Sequence, residues 1–153
     1  MKKENKENLV KLAKFVLSEV SDEQFDMSFC RGDKGLKKIF KSITDCGTVG
    51  CALGWAPFVK GLEAVEGDFI ESETHDSKRL SFYYYKERVF GNSYFINISW
   101  GFIFGCGWSE IDNTREGFVK RVVYFLKGGK NFELTTNNYK HINPNKIYEY
   151  EQR

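Results

Sequence analysis

Proline is scarce in this sequence, with two residues, Pro57 and Pro144, in a chain of 153. Histidine is as rare, at two, and cysteine numbers four. No collagen-like or proline-rich chain has so little proline. Four cysteines (Cys30, Cys46, Cys51 and Cys106) are too few for a disulfide-rich miniprotein of this length. Two histidines, His75 in a polar stretch and His141 near the end, give no paired metal-ligand motif. Cys46 and Cys51 lack the two-residue gap of a zinc knuckle. No metal and no cofactor is expected. No apolar run approaches the roughly 18–20 residues that span a membrane. The first residues, Met1-Lys2-Lys3-Glu4, lack the apolar core of a secretory leader. The reading is a cytoplasmic chain with reduced thiols and no membrane partner.

Net charge is also nearly missing. Lys and Arg number 23 against 21 Asp and Glu, leaving +2. A dedicated binder of long nucleic acid carries a broad basic patch. Two stretches are rich in Lys: Lys2 to Lys14 reads as the wet face of a helix, and Arg31 to Lys41 as an exposed loop.

Aromatic residues, by contrast, are abundant, with 14 Phe, 8 Tyr and 3 Trp. Eleven of them fall in the 27 residues from Phe82 to Trp108. Such density builds core, and its surplus suits stacking on a planar ligand.

Periodicity sets out the elements. Leu9, Leu12, Ala13, Val16, Leu17 and Val20 follow helical spacing, predicting a helix over about 5–20. Ser21 with Gln24 has capping-box spacing. Asp45 to Pro57 is small and apolar. Thr48 is its candidate N-cap, Val49 to Ala56 a short buried helix, and Pro57 the start of a further turn. Leu80 to Lys86 is aromatic and β-prone. Tyr94 to Cys106 alternates, with Tyr94, Ile96, Ile98, Trp100, Phe102 and Phe104 sharing one face. Asp112-Asn113-Thr114 precedes a helix burying Phe118, Val119, Val122, Val123 and Leu126, which stops at Gly128-Gly129. Residues 136–153 read as a polar tail. The expected architecture is a single α+β domain over 1–153. A small antiparallel sheet carries two to three helices packed mainly on one face.

The candidate site residues follow from these placements. Gly47 and Thr48 would offer backbone N–H groups and a hydroxyl to an anion at a helix start. Trp55, Tyr84, Trp100 and Trp108 are the candidate stacking rings. Arg88 and Arg121 are the candidate phosphate partners. No catalytic set is assigned. Cys51, near a helix start, and the carboxylate of Asp26 are the residues an enzymatic alternative would use.

Phe25-Asp26-Met27, Cys46-Gly47-Thr48-Val49-Gly50-Cys51-Ala52-Leu53-Gly54, Phe90-Gly91 and Asp112-Asn113-Thr114 followed by Arg121 form a combined pattern over about residues 8–129. In this the chain resembles a family of small uncharacterised proteins of tailed phages and their bacterial hosts. Two positions depart from the family pattern. Trp55 stands where the pattern has His, and Arg115 where it has Pro. If that His is catalytic elsewhere, Trp55 removes the chemistry here.

The resemblance implies a phage accessory protein acting in the bacterial host cytoplasm. By analogy it suggests an anti-defence sponge that binds a small anionic nucleotide-like immune signal and holds it uncleaved. A homo-oligomer is compatible with that role. The alternatives are a small hydrolase that cleaves such a signal and a protein-binding inhibitor of a host defence protein.

Overall fold

The computed structural model describes residues 2–27, 51–68, 70–74, 77–81, 83–91, 103–104, 112–129 and 141–151. Helix α1 spans Lys3–Glu19. It buries Leu9, Val10, Leu12, Ala13 and Val16, the stripe that its spacing predicts. Val20 is buried just beyond it. Its last carbonyls have no partner within the helix. Arg115 supplies one, with Nη1 donating to Leu17 O at 3.0 Å and to Val20 O at 2.9 Å. The same guanidinium donates through Nε to Asp22 Oδ1 at 2.8 Å. Asp22–Gln24 forms a 3₁₀ turn. Ser21 N–H donates to Gln24 Oε1 at 3.2 Å, the return half of the expected capping box.

Helix α2 is a single turn, Ala52–Trp55, with Cys51 at its N-cap. A 3₁₀ turn over Ala56–Phe58 continues it, and Pro57 sits in its first positions. The expected N-cap Thr48 and the residues Val49 and Gly50 lie outside the described residues. An antiparallel hairpin follows, β1 Ile70–Thr74 with β2 Ser77–Ser81, Ile70 opposite Ser81 and Thr74 opposite Ser77.

Helix α3 spans Tyr83–Phe90. The β-prone reading of Leu80 to Lys86 is therefore wrong over its second half. Tyr85, Val89 and Phe90 are buried, a spacing of four and five that one helical face accommodates. A strand would have put Tyr85 and Phe90 on opposite faces. Tertiary burial overrides the strand preference of three consecutive tyrosines. Gly91 closes the helix at φ +88°, its N–H donating to Glu87 O at 3.0 Å. A Cβ there would strike the Asn5 side chain, so α1 approaches Gly91 closely.

Helix α4 spans Arg115–Leu126. Thr114 Oγ1 accepts from Gly117 N–H at 3.0 Å, the N-cap that Asp-Asn-Thr predicts. At the other end Gly128 N–H donates to Phe125 O at 2.9 Å and Gly129 N–H to Tyr124 O at 3.1 Å. With Gly128 at φ +86° this is a Schellman stop. Residues Pro144–Glu151 form a 3₁₀ helix that packs on α1 and α4. Three residues per turn bring Pro144, Ile147 and Tyr150 to one side. Ile147 is fully buried and Tyr150 packs against the core. The expected polar tail is thus anchored over its last part.

The α+β expectation is overturned. The described fold is mostly helical, and its core forms where α1, α4 and the C-terminal 3₁₀ helix meet, with α2 and α3 against α1. The expected sheet under helices does not organise it. Of the alternating segment Tyr94 to Cys106, only Ile103 and Phe104 are described. They are helical, and both are buried, although alternation would put them on opposite faces. Phe104 lies 5.3 Å from Phe90 and 6.1 Å from Phe118, ring centre to ring centre.

Candidate functional site

Two neighbourhoods gather the described candidates. The first is the junction where the resemblance motifs meet. Asn113, the middle residue of Asp-Asn-Thr, donates through Nδ2 to Asp26 Oδ1 at 2.7 Å. Its Oδ1 accepts from Met27 N–H. One amide side chain thus ties Phe-Asp-Met to the start of α4. The Phe25 ring lies 6.2 Å from that of Phe118, tilted at 37°. Trp55 of α2 joins from the other side, its Nε1–H donating to Gln24 O at 3.2 Å. Its indole is buried and lies 5.8 Å from Phe58. Cys51 is buried beside it in the core. Arg121 is fully buried on the face of α4 that also buries Phe118, Val122 and Phe125. Trp55 and Arg121 are thus both buried in the core.

The second neighbourhood is the outer face of α3. Tyr83 and Tyr84 are exposed, their rings edge-to-face at 5.4 Å. Lys86 Nζ lies 5.2 Å from the centre of the Tyr83 ring. Loss of hydration lowers the Lys86 ammonium below its ordinary range. One turn after Tyr84, Arg88 donates through Nε to Asp68 Oδ1 at 2.8 Å and through Nη2 to Asp68 Oδ2. That two-point pairing is the strong form of the arginine–carboxylate contact. Nη2 also donates to Glu63 O at 2.8 Å.

Asp68 is buried, with 4% of its side chain exposed, whereas Arg88 keeps 42%. Its Oδ2 also accepts from Val65 N–H at 2.8 Å. The Arg88 hydrogen bonds hold the Asp68 carboxyl below the usual carboxylate range. The same contacts raise Arg88. Tyr85, inside the helix face, donates its hydroxyl to Leu62 O at 2.6 Å, and burial raises its phenol. Asp68 and Tyr85 together fasten the 59–68 segment to α3.

Of the sequence-derived candidates, Gly47, Thr48, Trp100 and Trp108 lie outside the described residues. The structure brings Tyr84 and Arg88 to one helical face and places Trp55 and Arg121 in the core. Sequence reasoning missed Asp68 as the partner of Arg88 and Lys86 as a second cation on the same helix. A helical reading of Tyr83–Phe90 would have revealed the four-residue step from Tyr84 to Arg88.

An open hollow of about 390 Å³ lies at the end of α1, lined by Ser18, Glu19, Val20, Ser21, Asp22, Glu23 and Arg115. Arg115 is committed there to capping α1. Among the described residues, no group of three or more His, Cys, Asp or Glu is placed to hold a metal ion. Among the same residues, no helix is long and apolar enough to cross a membrane. No protein-family model, curated protein or solved structure matches the chain.

Proposed function

We propose that this chain is a binding protein that sequesters a small, planar, anionic ligand of nucleotide type and leaves it uncleaved. The observation that carries the reading is the exposed pair Tyr83 and Tyr84 with Lys86 beside it. Exposed rings offer π-faces to a planar group, and a partly dehydrated cation gains more from an anion than a fully hydrated one. A phage anti-defence role in a bacterial host's cytoplasm, with no long nucleic acid as partner and with a homo-oligomer as the working form, completes the proposal.

The hydrolase alternative draws less from the geometry. The Cys51 thiol is buried, and the Asp26 carboxylate is engaged by Asn113. Calorimetric titration against a panel of cyclic dinucleotides and ADP-ribose derivatives tests the reading. Binding, followed by recovery of intact ligand on denaturing the complex, is the expected result. Recovery of cleaved ligand would move the protein to the hydrolase reading. No heat from any member of the panel, with folded protein, would end the proposal.

A further inference from the structure

We infer that the outer face of α3 is a phosphate-plus-ring site, in which Arg88 Nη1 takes an anionic oxygen and the Tyr84 ring stacks on the planar group joined to it. This rests on the binding reading above and gives it a place and a ligand class, a phosphorylated aromatic compound. Residues four apart on a helix are neighbours, with Cβ atoms about 5–6 Å apart. Tyr84 is half exposed. Arg88 Nε and Nη2 are held by Asp68 and by Glu63 O, and Nη1 makes no hydrogen bond to a described residue.

The guanidinium is thus fixed by two of its nitrogens and retains a third for a ligand. Little rotamer freedom remains to be lost on binding, which is the advantage of a preorganised group. Asp68 beneath the guanidinium, Glu87 next to it in sequence and Glu63 nearby all oppose an anion. So does the negative end of the α3 dipole. Lys86 on the same helix offsets part of this. With charge so nearly balanced, phosphate alone gains little, and the ring contact has to supply the rest. The two contacts made by one molecule reinforce each other.

The experiment titrates the full chain with adenosine 5′-monophosphate, adenosine and inorganic phosphate, and repeats the nucleotide titration on Tyr84→Ala and Arg88→Lys. Lysine retains the charge opposite Asp68 but lacks the second nitrogen. Each variant's fold is checked by circular dichroism and thermal melting. The site predicts that the nucleotide binds at least about tenfold more tightly than phosphate or adenosine. It also predicts that each substitution weakens the nucleotide by at least about fivefold. Unchanged binding in both variants would overturn this site and leave the binding reading standing. Weakening in Arg88→Lys alone would also overturn it, because a loosened 59–68 segment gives that result without any ring contact. No binding of the nucleotide or of the cyclic dinucleotides would overturn both.

Discussion

Removing either partner of the Asp68–Arg88 pair should destabilise the fold, but by unequal amounts. Asp68 is almost fully buried, whereas Arg88 is nearly half exposed. Asp68→Asn removes the buried charge and retains an oxygen that can accept from Val65 N–H. The stranded Arg88 rehydrates at the surface. Loss of charge-assisted bonds then costs about 2 kcal/mol. Arg88→Leu instead leaves a carboxylate buried without its counter-charge, which costs about 3–5 kcal/mol. For a chain of this length those losses correspond to roughly 4–8 °C and 6–20 °C in Tm. Urea unfolding at unchanged slope, alongside thermal melting, measures both.

The pH dependence supplies a second check on the pair. The Asp68 carboxyl is held below its ordinary range in the folded chain. Its contribution is therefore complete above the unfolded value, about 3.9, and is lost as pH falls through the lower folded value. The gap between wild type and Asp68→Asn should be full at pH 7 and should close below about pH 4. A gap that stayed constant to pH 2, or a larger loss in Asp68→Asn than in Arg88→Leu, would refute the reasoning.

Other substitutions test single features. Gly91→Ala forces an L side chain into φ +88° and against Asn5, and should cost about 1–2 kcal/mol by urea unfolding. Thr114→Ala removes the N-cap of α4 and should cost about 1 kcal/mol in the same assay. Ile147→Ala should cost about 2–5 kcal/mol, and limited proteolysis should then cut within 144–151, because that side chain anchors the C-terminal 3₁₀ helix.

Local signals made part of this fold legible. The stripe from Leu9 to Val20, the Ser21–Gln24 box and both ends of α4 are written within a few residues of where they act. The aromatic stretch was not legible in the same way. Three tyrosines in a row favour a strand by propensity, and only the partners of Tyr85, Val89 and Phe90 in the core decide for a helix. The 3₁₀ helix was hidden because its two anchors, Ile147 and Tyr150, stand in a stretch of mostly polar residues. The candidate site was legible in residue type but not in partnership. Arg88 was recognisable as a cation, yet its tie to Asp68 spans twenty residues and appears only once the chain is folded. Trp55 was recognisable as a large ring, and the core claimed it. Two of the resemblance motifs act, where they are described, as joints between elements. Asn113 links two of them, and Gly91 ends a helix against a neighbour.

Arg115 carries a consequence for how this chain can vary. It stands first in α4 and closes the end of α1 across more than ninety residues of sequence. The two helices therefore share one terminus, and their phases are locked together. Inserting a single residue between Arg115 and Glu116 would swing that guanidinium about 100° around the α4 axis relative to the face that buries Phe118. It would also separate Thr114 from the N–H that it caps. Related sequences should carry no gap between Asp112 and Phe118.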